Sequence, residues 1–150
     1  IYIMTIFGFV SSSFLALVIS FYKQIIFDKK AISSLLGAPL LIDFSSYLLK
    51  DREDILNNFL ESKVIKPYLA EIAFLFEGKI KDEQSLIFKK KIKNIKTDNK
   101  VNIANKISEC NTQNKFIIIL SLGNITSKEL KSINKNVFLK GKKILGWILI

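Results

Sequence analysis

The chain has 150 residues, 49% of them hydrophobic, and 23 Lys and Arg against 13 Asp and Glu give a formal net charge of +10. It holds no histidine and a single cysteine, Cys110, which excludes imidazole as general base, zinc ligand or triad member, and excludes an intramolecular disulfide or a cysteine metal cluster. Almost all of the positive charge is lysine, Arg52 being the only arginine; together with the Ile, Asn and Phe excess this reads as a compositional bias, so charge alone does not argue for nucleic acid.

Residues 1–22 carry no charge. At about 1.5 Å per residue they make a helix of roughly 33 Å, the thickness of a hydrocarbon core, and the expectation is a transmembrane helix rather than the competing buried globular helix. Lys23, Lys29 and Lys30 follow the run and nothing basic precedes it, which by the positive-inside tendency places the C-terminal part in the cytoplasm. A secretory signal fits poorly, for want of a basic n-region and a small-residue cleavage pattern. Gly8, Ser12, Ala16 and Ser20 recur every four residues and form the expected helix-packing face, through which copies of the chain would associate. Because the first residue is Ile1, the chain reads as the C-terminal part of something longer.

Residues 23–50 read as a juxtamembrane segment: helical from Lys23 to Ser34, broken at Gly37 and Pro39, then a short strand over Leu40-Leu41-Ile42. Residues 51–150 read as one cytoplasmic α/β domain. Between Asp51 and Phe76 the apolar positions Ile55, Leu56, Phe59, Leu60, Val64, Leu69, Ile72 and Leu75 or Phe76 recur at helical spacing, with Asp51, Glu53 and Asp54 at the favourable end of the macrodipole. Pro67 is expected to kink this stretch or divide it into two helices. Lys79 to Lys100 clusters eight lysines around Phe88, Ile92 and Ile95; it reads as a solvated face, with a strip for anionic lipid or nucleic acid as the alternative. Ile103, Ile107 and Cys110 fall on one helical face.

The last third carries the plainest pattern. Phe116 to Leu120 is an uninterrupted apolar run, as in a strand buried on both faces of a parallel sheet. Gly123-Asn124 turns the chain, Thr126 and Glu129 make a capping box, and Ile125 and Leu130 occupy the positions of a hydrophobic staple, so a helix begins at Ser127 with Leu130, Ile133 and Val137 facing the sheet. Gly141 stops it, and Ile144 to Ile150 completes a right-handed β-α-β unit.

An uncharged span, a basic juxtamembrane helix and the phrase Ser33-Ser34-Leu35-Leu36-Gly37-Ala38-Pro39-Leu40-Leu41 resemble the second transmembrane helix and following segment of the Wzz/GumC-type polysaccharide co-polymerases. The strand Phe116 to Leu120, the helix begun at Thr126 with Glu129-Leu130, and Lys142-Lys143-Ile144-Leu145-Gly146-Trp147-Ile148-Leu149-Ile150 are similar to the end of the tyrosine kinase domain fused to some of those proteins. The resemblance covers roughly residues 1 to 43 and 115 to 150. It implies a bacterial inner-membrane, non-catalytic scaffold that limits surface-polysaccharide chain length, with the lipid bilayer, other copies of itself and a polysaccharide polymerase as partners, and with no cofactor and no metal.

The middle of the chain departs from the kinase pattern. A P-loop needs two glycines and a Lys-Ser/Thr pair so that backbone N–H groups wrap the phosphates; here Glu77-Gly78-Lys79 is followed by Ile80, with Phe74 where the first glycine belongs. The alternative function is a divergent tyrosine kinase holding ATP-Mg through Lys79 and Asp43, and a second alternative is a membrane-tethered basic module for lipid or nucleic acid. The expected fold is one transmembrane α-helix followed by a small α/β domain, with a parallel sheet of incomplete Rossmann or P-loop type.

Overall fold

The computed structural model describes residues 2–22, 24–48, 50–78, 86–90, 92, 102–110 and 112–150. Strands β1 (Leu40–Asp43), β2 (Ile72–Phe76), β3 (Asn102–Ala104), β4 (Lys115–Leu120) and β5 (Lys143–Leu149) form a sheet in the order β1-β5-β4-β2-β3, and every neighbouring pair is parallel. The helices are α1 (Tyr2–Tyr22), α2 (Lys29–Leu36), α3 (Arg52–Leu60) and α4 (Ser127–Leu139), and residues 86–90 are also helical.

The sheet carries two cores because its central strands bury both faces. On one face Leu75, Phe116, Ile118, Trp147 and Leu149 meet Ile32 and Leu36 of α2 and Leu130, Ile133 and Val137 of α4. On the other, Phe74, Ile117, Ile119 and Ile148 meet Leu56 and Leu60 of α3, Leu69, Phe88 and Ile92. Each of these large side chains, taken out of water, contributes about 1.5–3 kcal/mol. Trp147 adds a polar tie: its indole N–H donates to Ser33 Oγ of α2 at 3.0 Å.

The fold expectation is corrected at its first element. Among the described residues no helix is long and apolar enough to cross a membrane. On α1 the described side chains are those of Gly8 and Val10–Ile19, and Ser11 to Ser13 interrupt their apolar character. The architecture observed is an α/β fold on a five-stranded parallel sheet.

Two further expectations change. The helical pattern ends at Leu60; Pro67 stands in the first turn of a 3-10 segment, Lys66–Glu71, and Ile72–Phe76 is then the strand β2, all five residues buried. An apolar run buried on both faces has no alternation to mark it as a strand, and Ile72, Leu75 and Phe76 also satisfy helical spacing. Likewise Asn102–Ala104 is the edge strand β3 and Ile107–Glu109 a 3-10 turn, in place of one helical face through Ile103, Ile107 and Cys110.

Ahead of α2, residues 24–27 lie across the loop between β4 and α4. Ile26 N–H donates to Ile125 O, Gly123 N–H to Ile26 O and Ser127 N–H to Gln24 O, each at 3.0 Å, while the Phe27 ring fills the space beside Gly123. Asp28 then caps α2 by accepting from Lys30 N–H at 3.0 Å, and Gly37 stops it in the left-handed region.

Candidate functional site

The connections determine where a parallel sheet opens. The segment after β2 places Phe88 and Ile92 on one face, whereas β4 is followed by α4 on the other. Because β2 and β4 are hydrogen-bonded neighbours, the chain diverges to opposite faces from adjacent carboxyl ends, which is the topological switch point at which open α/β sheets bind their ligands.

Two short links hold that opening. Glu77 N–H donates to Ile119 O at 2.9 Å, extending the β2–β4 ladder by one rung. Gly78 follows with φ +80°, and its backbone is pressed against the Asn124 carbonyl in the loop after β4.

From this opening a groove of about 600 Å³ runs along α4, a volume in the usual range for small-molecule sites. It exists because the return from β3 to β4 is short. Residues 105–114 make the crossover with only one 3-10 turn, Ile107–Glu109, among the described residues, where parallel connections commonly insert a helix. The segment starts at the carboxyl edge, where Asn105 Oδ1 accepts from Lys89 Nζ at 3.1 Å and Asn105 N–H donates to Glu109 at 3.0 Å. It ends at the amino edge, where the Cys110 carbonyl accepts from Lys142 Nζ and Asn114 O accepts from Lys143 N–H. One wall of the groove is this segment; the other is α4, through Glu129, Ser132, Asn136 and then Lys140. Eight of its ten lining residues are polar or charged, which places hydrogen-bonding groups along its whole length beside the apolar stems and Ile107 and Ile133.

The carboxyl edge of the groove holds two carboxyl groups in different circumstances. Glu129 is committed to the start of α4: its carboxylate accepts from Thr126 N–H at 2.7 Å and from Thr126 Oγ1 at 2.8 Å, while its own N–H donates to Thr126 Oγ1 at 3.2 Å. This is the capping box expected from the sequence. The Glu77 carboxyl has no hydrogen-bond or ion-pair partner among the described residues. Burial first, and the nearby Glu129 charge second, push it up to about 7. A carboxyl group so shifted, unpartnered and lining a cleft, marks a functional site on physical grounds. Below the groove the Cys110 thiol is pushed up by burial, which keeps it protonated and unreactive.

The residues singled out from sequence lie elsewhere. Asp43 ends the edge strand β1, separated from β2 by β5 and β4, about 14 Å of sheet. It accepts from Ser45 N–H at 3.0 Å, from Ser45 Oγ and from Lys29 Nζ. Burial acts to raise its pKa, but the bonds from Lys29, Ser45 and Ser46 prevail and hold it below its ordinary value. Asp43 thus starts the 3-10 turn Phe44–Ser46. Lys79 lies outside the described residues, as does most of the basic strip. Gly8, Ser12 and Ala16 are exposed on α1, and the Ser20 side chain lies outside the described residues.

Sequence reasoning missed Glu77, Lys106, Asn136 and Lys140 as site residues. The signal available was an acid placed directly after the apolar run Ile72–Phe76, informative only once that run is recognised as a central strand. No family model matches the chain, and no curated protein or solved structure is significantly similar to it.

Proposed function

We propose that this chain is a small-molecule-binding α/β module whose ligand occupies the crevice between the carboxyl ends of β2 and β4. The observation that supports it is the Glu77 carboxyl, unpartnered among the described residues, at the mouth of the groove opened by the two diverging connections. The reading requires no catalytic step. Amide NMR of the full chain against a library of polar metabolites tests it: perturbations clustered on residues 77, 105–108 and 129–136 are expected. Asn136→Trp, which fills the groove from an exposed helix position, is expected to abolish them. Perturbations confined to other surfaces, or unchanged in Asn136→Trp, would refute the reading.

A second reading, a non-catalytic scaffold in surface-polysaccharide assembly, draws support from one feature: β4, a helix begun at Thr126 and β5 follow in the order that the resemblance implies. Deletion of the chain is expected to alter the polysaccharide length distribution. An unchanged distribution would remove this reading.

A further inference from the structure

We infer that the outward face of α4 docks on the surface of an anionic lipid bilayer, with Lys128, Lys131 and Lys135 among the headgroups and Phe138 and Leu139 dipping below them. This surface is separate from the crevice and does not depend on it.

Helical geometry gathers those five side chains. At 3.6 residues per turn they fall within about 100° of arc, opposite the stripe of Leu130, Ile133 and Val137 that meets the sheet. All five are exposed, Phe138 by 78% and Leu139 by 68%. One flank of the arc is closed by α2, where Asn134 Nδ2 donates to Leu35 O at 3.0 Å, and the other borders the groove through Ser132 and Asn136. Two large apolar side chains left in water side by side stand to gain from being covered.

Charge selects the cover. Glu129, the only acid in the α4 sequence, is turned out of the arc toward the groove and held by Thr126, so the arc carries three positive charges and no negative one. On the other side of the sheet the exposed Tyr47 and Leu48 precede Asp51, Glu53 and Asp54, and the combination of apolar and purely basic side chains does not recur there. α1 also exposes Val10, Phe14, Leu15 and Leu17, but it has no charge with which to select a partner. Lysine is a point charge on a flexible stem, which suits a diffuse layer of phosphate headgroups better than a matched set of carboxylates. A nucleic-acid duplex would pair the lysines and leave Phe138 and Leu139 in water. A bilayer interface takes both, the apolar tips in its acyl boundary and the ammonium groups snorkelling to the headgroups.

Phe138→Trp in the full chain tests the inference, read against Trp147, which is fully buried. The indole at position 138 is expected to shift to the blue and to be quenched by brominated lipids on vesicles of phosphatidylcholine with phosphatidylglycerol, and not on phosphatidylcholine alone. Placing the readout there separates this contact from any made by α1. Adding Lys131→Gln and Lys135→Gln is expected to weaken the response about thirtyfold, the loss of two lysines beside an anionic surface, and sodium chloride is expected to weaken it as well. Lys63→Gln with Lys66→Gln, an equal change in charge outside the arc, is expected to alter it little; an equal loss from that pair would reduce the effect to net charge and overturn the assignment to α4. An indole that stays in water on anionic vesicles would overturn the inference, as would an equal response on phosphatidylcholine alone. A response to a duplex oligonucleotide or to protein concentration, with none to anionic vesicles, would overturn it by assigning the face to nucleic acid or to a second copy.

Discussion

A Cβ atom placed on Gly78 would lie 2.8 Å from the carbonyl oxygen of Asn124. This contact seals the turn after β2 to the turn after β4, and at φ +80° the position is doubly suited to glycine. Gly78→Ala is expected to destabilise the chain by about 1–3 kcal/mol through backbone strain and the displaced carbonyl. Thermal unfolding measures it; an unchanged midpoint would contradict the geometry.

Glu77 gives the chain a pH dependence of determinable sign. Its carboxyl titrates near 7 in the folded state against an ordinary 4.5, so between those values the unfolded chain releases its proton more readily and stability falls as pH rises. Glu77→Gln is therefore expected to stabilise at pH 8 by about 1 kcal/mol, discounted for partial exposure, and to have little effect at about pH 4. For a chain of this size that is about 2–4 °C in Tm. Equal shifts at both pH values would contradict it.

Glu129 links helix capping to that titration. Thr126→Ala removes the hydroxyl that pairs with Glu129 and is expected to cost about 1 kcal/mol. Glu129→Gln keeps a side-chain acceptor for the Thr126 N–H but removes a charge, so the Glu77 titration followed by carbon NMR is expected to move below its value of about 7, part of the way back. A midpoint that stays in place would show that burial alone sets it.

Trp147 tests the face shared by β5 and α2. Trp147→Phe empties part of a fully buried site and leaves the Ser33 hydroxyl without its indole donor, with an expected loss of about 2–4 kcal/mol. Ser33→Ala added to the Trp147→Phe variant is expected to cost less than it does alone, because the partner is already gone. Additive losses would mean that the bond carries no coupling.

Legibility in the sequence follows local chemistry. The capping box at Thr126 and Glu129, the staple of Ile125 and Leu130, and the apolar runs on either side depend on near neighbours, and the β4-α4-β5 unit forms as those residues predict. β2 is concealed because Ile72–Phe76 is hydrophobic throughout, so periodicity cannot separate a doubly buried strand from a helix. With β2 misread, Glu77 has no reason to stand out, and β3, three residues long, is absorbed into a helical pattern. The groove is illegible for a different reason: it arises from a crossover too short to lay a helix over β2, a property of strand order that no local motif records. α1 shows the converse, since an uncharged stretch suggests a bilayer solvent although the described residues form no helix that meets the requirements of a span.

The backbone bonds from Gln24 and Ile26 to Gly123, Ile125 and Ser127 tie the segment ahead of α2 to the loop after β4. Those three bonds strap residues 24–26 to the stretch of chain from which α4 departs, a few residues from Glu129 and beside the Gly78 contact. The opening of the groove is thus framed in part by a stretch of chain about a hundred residues away in sequence, which no reading of the β4-α4 loop alone would include.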